Sequence, residues 1–166
     1  MKEPAMHPTL IAPLALLLCT GLAQAGTVEV RFDHPERYTD VGPASDLETV
    51  QTILAEHLQA LGQSRLPAGQ TLKITIADID LAGRINPWLG RLHQVRILGG
   101  HVDWPRIDLS YALSEGDRTV AQGSEVVADM AYEVRSNFHH PNERLPYEQR
   151  MLTTWFNQRF GAPGPR

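Results

Sequence analysis

Cysteine, a long apolar run and a strong charge of either sign are all missing from this chain. Cys19 is the only cysteine among 166 residues. A membrane-spanning helix needs about 20 apolar residues, whereas the run Leu10–Leu18 is too short and contains Pro13. The net charge is −4, with 15 basic and 19 acidic side chains. This balance argues against nucleic acid or a broad anionic membrane as the main partner.

The first 25 residues have the three parts of a secretory signal peptide. Lys2 supplies a charged start, the apolar run follows, and the small residues Ala23 and Ala25 precede the expected cut. A lipoprotein would need small residues before its modified cysteine, but three leucines precede Cys19. We therefore expect residues 1–25 to be cleaved and the protein to be periplasmic.

Cleavage would leave residues 26–166 as a single domain, with its core at about 27–161. Cys19 would be lost, so the mature chain would have no disulfide and no thiol for catalysis or zinc binding. A chain of this length buries roughly two thirds of its unfolded surface, which is enough for one self-sufficient core. We also expect no integral membrane span in the mature chain.

Residue patterning predicts the order β-α-β-β-β-α. Alternating apolar and polar residues indicate strands at 27–32, 71–77 and 107–114. Glu115-Gly116-Asp117 is a hairpin signal, and a less cleanly patterned return strand is expected at about 118–129. This order favours an α+β domain with a mainly antiparallel four-stranded sheet, an antiparallel meander, and two helices packed on one face.

The first helix is expected at about 46–61, where leucines and Val50 recur every three or four residues. Ser45 and Glu48 have the spacing of a capping box, and Gly62 follows the last apolar residue as a stop signal. Pro146 occupies the first turn of the second helix, a position that tolerates proline.

The alternation of the second strand changes phase at Asp78. Asp78 and Asp80 continue the face that Ile76 occupies in the core. Two explanations remain open at this point: the strand ends near Ala77, or a bulge switches its faces.

Five strings of the sequence resemble one known family. They are YTD at 38–40, DIDLAG at 78–83, WPRIDL at 104–109, DMAY at 129–132 and YEQRML at 147–152. Together they resemble the bacterial domain-of-unknown-function family 3016, and the likeness extends from Val28 to Phe160. The resemblance implies an exported one-domain protein. It implies no catalytic residues, because the family has no assigned activity.

Two groups of side chains could hold a metal ion. Asp78 and Asp80 would lie about 7 Å apart on one strand face and could bind a divalent cation or divide acid and base roles. His139, His140 and Glu143 supply zinc-ligand types, but without the spacing of a known zinc motif. Solvated loops and strand ends explain both groups more simply. We therefore predict no metal and no cofactor, and no serine lies in a G-x-S-x-G turn.

The segment 84–106 is the strongest binding candidate. It carries four arginines and one acid, so its charge is +3 in a chain of −4. Arginine and tryptophan together are common at binding hot spots. An alternative explanation is that the tryptophans cover the sheet edge and the arginines keep the loop soluble. The predicted binding residues are Trp88, Arg91, His93, Arg96, Trp104 and Arg106.

These observations favour a non-catalytic envelope binding or assembly-accessory protein whose partner is an envelope protein or an anionic small ligand. If the segment 84–106 binds a partner and has no structural role, Arg96→Glu should weaken the partner complex and change thermal stability little. A metal-dependent periplasmic hydrolase that uses either candidate metal group is the alternative.

Overall fold

The computed structural model describes residues 25–86, 96–99, 102–134 and 144–161. The strands are β1 (Thr27–Phe32), β2 (Gln70–Asp80), β3 (Arg84–Ile85), β4 (Arg96–Ile97), β5 (Arg106–Glu115) and β6 (Arg118–Ala128). The helices are α1 (Leu47–Arg65) and α2 (Pro146–Phe160). Short 3-10 turns cover Pro35–Arg37 and Ala44–Asp46.

The main sheet has four strands in the order β1-β2-β5-β6, and β3 pairs with β4 in a separate two-stranded sheet. The β2–β5 and β5–β6 pairs are antiparallel, so the predicted α+β class and mainly antiparallel sheet are confirmed. The β1–β2 pair is parallel, and the sheet is therefore mixed. The expected meander begins only at β2, because α1 carries the chain from the end of β1 back to the level of its start, where the parallel strand β2 begins.

One hydrophobic core joins the sheet to both helices. It contains Ile74 and Ile76 of β2 together with Leu58 of α1 and Phe156 of α2, all buried. Side chains that alternate with these core residues, such as Lys73, are exposed on the opposite face. Both helices therefore pack on one face of the sheet, as predicted.

Helix α1 differs from its prediction at both ends. It continues through Gly62 to Arg65, so Gly62 does not end it. A Cβ atom at Gly62 would overlap the γ2 methyl group of buried Val28, which shows that glycine is needed for close contact between α1 and β1. The predicted capping box is also wrong, because Ser45 lies in a 3-10 turn and its hydroxyl donates to Asp46 Oδ1 at 3.2 Å.

The phase change in β2 is a β-bulge. The pairing register between β2 and β5 shifts between Ile76 and Asp78, and β2 continues to Asp80. The extra residue, Ala77, turns Ile79 into the core, where it is fully buried. Of the two explanations that the sequence left open, the bulge is therefore the correct one.

The remaining boundaries agree well with the sequence patterns. The β5–β6 hairpin turns at Gly116-Asp117, and Gly116 has the positive φ of 57° that such a two-residue turn requires. Helix α2 begins at Pro146 and ends at Phe160, directly before Gly161.

Candidate functional site

The five strings that carry the family resemblance meet at one end of the main sheet, where β2 ends and β5 begins. Thr39 Oγ1 donates to Asp78 Oδ2 at 2.7 Å, which joins the first string to the second. Arg106 Nη2 donates to the same oxygen at 3.1 Å and adds the third. Arg150 Nη2 donates to Asp129 Oδ2 at 3.3 Å and joins the last two. We call this region the polar end; it consists of the five strings together with Arg96, which bonds to Asp40 of the first string.

Arg96 is the most heavily bonded side chain of the polar end. Its Nη2 donates to Asp40 Oδ1 at 2.9 Å and its Nη1 to Asp40 Oδ2 at 3.1 Å, a two-pronged ion pair. The same Nη1 atom approaches the carbonyl oxygens of Leu81, Ala82 and Gly83 at 3.3, 3.2 and 2.7 Å. Arg96 therefore fastens β4 to the chain that leaves β2, and its side chain is 22% exposed.

Arg106 and Trp104 are also directed into the fold. Arg106 bonds to Asp78, and its Nε lies 3.8 Å from Asp108 Oδ1. Trp104 is partly buried against a small cluster formed by Ala82, Tyr132 and Tyr147.

The structure thus brings three of the six predicted binding residues, Arg96, Trp104 and Arg106, to the polar end. The other three, Trp88, Arg91 and His93, lie outside the described residues. The role of all six in binding stays a prediction. The contacts of Arg96 do, however, argue against the expectation that its replacement would change thermal stability little.

Asp78 and Asp80 have pKa values that are displaced in opposite directions. Burial raises the pKa of Asp78, but bonds from the hydroxyl and backbone N–H of Thr39, from the Ile79 N–H and from Arg106 outweigh it and lower the pKa overall. Burial and the neighbouring Asp40 carboxylate raise the pKa of Asp80. Two neighbouring carboxyl groups with pKa shifts in opposite directions can act as a catalytic acid and base. Here four donated hydrogen bonds occupy Asp78, which makes it an anchor for the 38–40 turn.

Of the two candidate metal groups, only Asp78 and Asp80 lie in the part of the chain that the structure describes. There, no group of three histidine, cysteine, aspartate or glutamate side chains is arranged to hold a metal ion. His139, His140 and Glu143 lie outside the described residues.

Glu148 is an internal acid that the sequence analysis missed. Its side chain is 2% exposed, and Oε1 accepts a hydrogen bond of 2.8 Å from the backbone N–H of Ala82. Burial raises the pKa of Glu148, against the opposing effects of that hydrogen bond and of the Arg96 charge. A signal was available: Met151, Leu152 and Trp155 follow Glu148 at the spacing of an apolar helical stripe.

A groove of about 420 Å³ lies between β6 and α2, beside the Arg150–Asp129 ion pair of the polar end. One wall is the segment 125–131, and the other is formed by α2 side chains, namely Met151, Thr154, Trp155 and Gln158. Met151 and Trp155 are buried and give the groove an apolar floor. Beside it, Met130 is 73% exposed and Val126 is 61% exposed.

Two ion pairs join carboxylates of the groove's first wall to arginines of α2. Arg159 Nε lies 2.8 Å from Glu125 Oε1, and Arg150 Nη2 lies 3.3 Å from Asp129 Oδ2. Trp155 Nε1 donates to Glu125 Oε2 at 3.1 Å. Both carboxylates of the groove wall therefore face guanidinium groups of α2, and the rim carries no uncompensated charge from these four residues.

Comparison with known proteins gives a family but no activity. Residues 26–158 match the model of a family described as proteins of unknown function, DUF3016. The chain belongs to this family. No curated protein and no solved structure matches the chain. The function of this DUF3016 protein therefore has to be argued from its own geometry.

In the described part of this DUF3016 protein, neither helix is long and apolar enough to cross a membrane.

Replacing Arg96 should destabilise the protein. We expect Arg96→Ala to lower the free energy of unfolding by about 2 kcal/mol, because Asp40 loses its ion-pair partner and the carbonyl group of Gly83 loses a charged donor. Arg84→Ala is the matched control, since Arg84 is 69% exposed and lies 3.9 Å from Asp103. In urea denaturation, the free energy of unfolding of this control should stay within about 0.5 kcal/mol of the parent value. Equal effects of the two substitutions would contradict the fastening role of Arg96.

Glu148 should make stability depend on pH. Its pKa is raised in the folded state, so the folded protein binds the proton more tightly than the unfolded chain does. The parent should therefore lose stability as pH rises from 4.5, the ordinary value, towards the raised pKa. Glu148→Gln keeps an acceptor for Ala82 but does not titrate. The stability of this variant relative to the parent should rise with pH in that window.

The measurement is urea denaturation at a series of pH values between about 4 and 8. Glu48→Gln, an exposed glutamate in the first turn of α1, controls for the loss of a charge at a helix N-terminus. Parallel curves for the parent and Glu148→Gln would show that burial does not shift this carboxyl group.

Proposed function

We propose that this protein is a non-catalytic binding protein of the bacterial cell envelope, exported with a cleaved signal peptide, which holds its partner in the groove between β6 and α2. The observation that carries the proposal is the groove itself. Met151 and Trp155 form its apolar floor, the acidic side chains of its first wall are paired with arginines of α2, and Met130 lines it with an exposed side chain.

The size and lining of the groove suit a binding role. Its volume of about 420 Å³ falls within the range of sites that enclose ligand groups. Exposed methionine is frequent at surfaces that bind other proteins, because its side chain is flexible and polarisable. Met130 and Val126 offer apolar surface that a partner would remove from water.

The groove favours a protein over an anionic small ligand. Glu125 and Asp129 line its wall, and the nearby arginines already face them. An anion in the groove would therefore meet two carboxylates, and both nearby guanidinium groups, Arg150 and Arg159, are already paired with them. The arginines Arg96 and Arg106 at the polar end are likewise paired with carboxylates of the chain. The 84–106 segment remains a predicted second contact.

A non-catalytic role is supported by where the polar side chains point. Asp78, Asp80 and Glu148 belong to the polar end, where Asp78 and Glu148 bond to groups of the fold itself. None of the three lines the groove. No particular observation favours the hydrolase alternative.

Export should leave a chain that begins at Gly26. Expression of the whole chain in a bacterial host should yield a periplasmic protein whose intact mass corresponds to residues 26–166. Ala25→Arg should block cleavage because signal peptidase requires a small residue there, and Ala25→Ser should not. Recovery of the uncleaved chain from the cytoplasm would contradict the export proposal.

Crosslinking in cells should depend on position. A photoreactive residue placed at Met130 or Gln158 should form discrete adducts, because both positions line the groove. The same residue at Thr27, exposed on β1 at the opposite edge of the sheet, is the control and should form none. Adducts of equal strength from Thr27, or no adducts from the groove, would refute the binding role assigned to this surface.

A further inference from the structure

We infer that the partner binds as an extended segment that adds a strand to the outer edge of β6, with uncharged apolar side chains at every second position filling the groove. This inference rests on the proposed function and states how the groove is used. It also identifies the chemistry of the partner: a stretch of chain with alternating apolar residues and no charge on the face that enters the groove.

The first support is the backbone of β6. The strand is 11 residues long and lies at the edge of the main sheet. Its one register shift lies near its start, and from Ala121 to Ala128 it pairs regularly with β5. Proteins usually protect such edges with lysine, proline or a bulge. The stretch 121–128 has no lysine or proline, and its one charged residue, Glu125, is paired with Arg159. Apart from β5, no described strand pairs with it.

The second support is that both faces beside this edge can receive side chains. Glu125 and Val127 of β6 face the helices, whereas Ser124 and Val126 face the other side. An added strand has the same alternation, so every second side chain would enter the groove against α2. The others would lie beside Val126, where a concavity of about 400 Å³ is lined by small residues such as Ser124 and also by Asp108.

Charge decides which side chains fit the groove. Glu125 and Asp129 already face Arg159 and Arg150. A charged side chain that entered would lose its water without gaining an opposite charge, which is costly. An apolar side chain would instead contact the floor formed by Trp155 and remove it further from water. The groove-facing residues of the partner should therefore be uncharged and apolar.

A second copy of this chain fits the groove less well. If two β6 strands paired, the residues facing each groove would be Ala121, Gly123, Glu125 and Val127. The first two are too small to fill it, and Glu125 would bring a further carboxylate beside those already paired. A foreign strand with larger apolar side chains satisfies both the volume and the charge of the site.

A peptide of about seven residues, the length of an ordinary strand, tests the inference. The probe is acetylated and amidated, with leucine or valine at every second position and serine between. We expect saturable binding to the purified protein and slower amide hydrogen exchange at alternate residues of 121–128. Aspartate at the apolar positions, or N-methylation of the backbone amides that face β6, should weaken binding at least about tenfold.

Two matched threonines provide the protein control. Thr154 lines the groove and Thr52 lies on α1, and both are exposed with hydroxyls that donate to the carbonyl four residues earlier. Thr154→Lys should weaken the peptide at least about tenfold, whereas Thr52→Lys should not. If Thr154→Lys fails to fold, Gln158→Lys replaces it, because Gln158 lines the same groove and is exposed.

The outcomes separate this inference from the proposed function. Absence of peptide binding, or binding without protection of β6, overturns strand addition. Crosslinks from Met130 would still support the groove as a binding surface. Protection of β6 without peptide, together with concentration-dependent dimers, would show that a second copy occupies the edge and that the inference is wrong. If Thr154→Lys, or Gln158→Lys in its place, binds the peptide as tightly as the parent does, strand addition is likewise overturned.

Discussion

A single additional residue in β2, Ala77, sets the geometry of the polar end. Because side chains alternate along a strand, an insertion of one residue exchanges the two faces from that point onwards. Ile79 thereby returns to the core, and Asp78 is placed beside Arg106 and the 38–40 turn. Without the bulge, Asp78 would face the core, and Thr39 would have no carboxylate to bind.

The charged side chains at the polar end bond to one another and to backbone groups of the fold. Arg96 joins β4 to Asp40 and to three successive carbonyl groups. Glu148 joins the start of α2 to Ala82 on the chain that leaves β2. A charged group that is partly removed from water needs such partners, since its hydration is lost. Segments that are far apart in the sequence are therefore joined to one another at the polar end.

The binding surface that we propose depends on a different physical feature. Strand β6 ends the sheet, and the groove lies between it and α2. An edge strand has backbone groups that can pair with another strand, and the neighbouring groove offers apolar surface. The polar end and the groove share one structural link, because Asp129 follows β6 directly and is held by Arg150 of α2.

The sequence by itself determined the elements and their class. Alternation marked the strands, the apolar stripe marked α1, and Pro146 marked the start of α2, because these signals arise from the local geometry of each element. Sequence patterns failed where the deciding contact was distant. Gly62 was expected to end α1, yet it lies against Val28 of β1. The apolar stripe of α2 could have indicated that Glu148 is buried, but its partner, Ala82, is far away in the sequence and could not be predicted.

The candidate site was predictable only in part for the same reason. Sequence analysis named Arg96, Trp104 and Arg106, and the structure places all three at the polar end. It could not tell that the arginines pair with carboxylates of the chain, since charge counts do not show which groups meet. The parallel β1–β2 pair, the position of β6 at the edge and the groove beside α2 exist only once the strands are ordered. Tertiary structure decided these features, because they depend on which surfaces of the folded chain are adjacent.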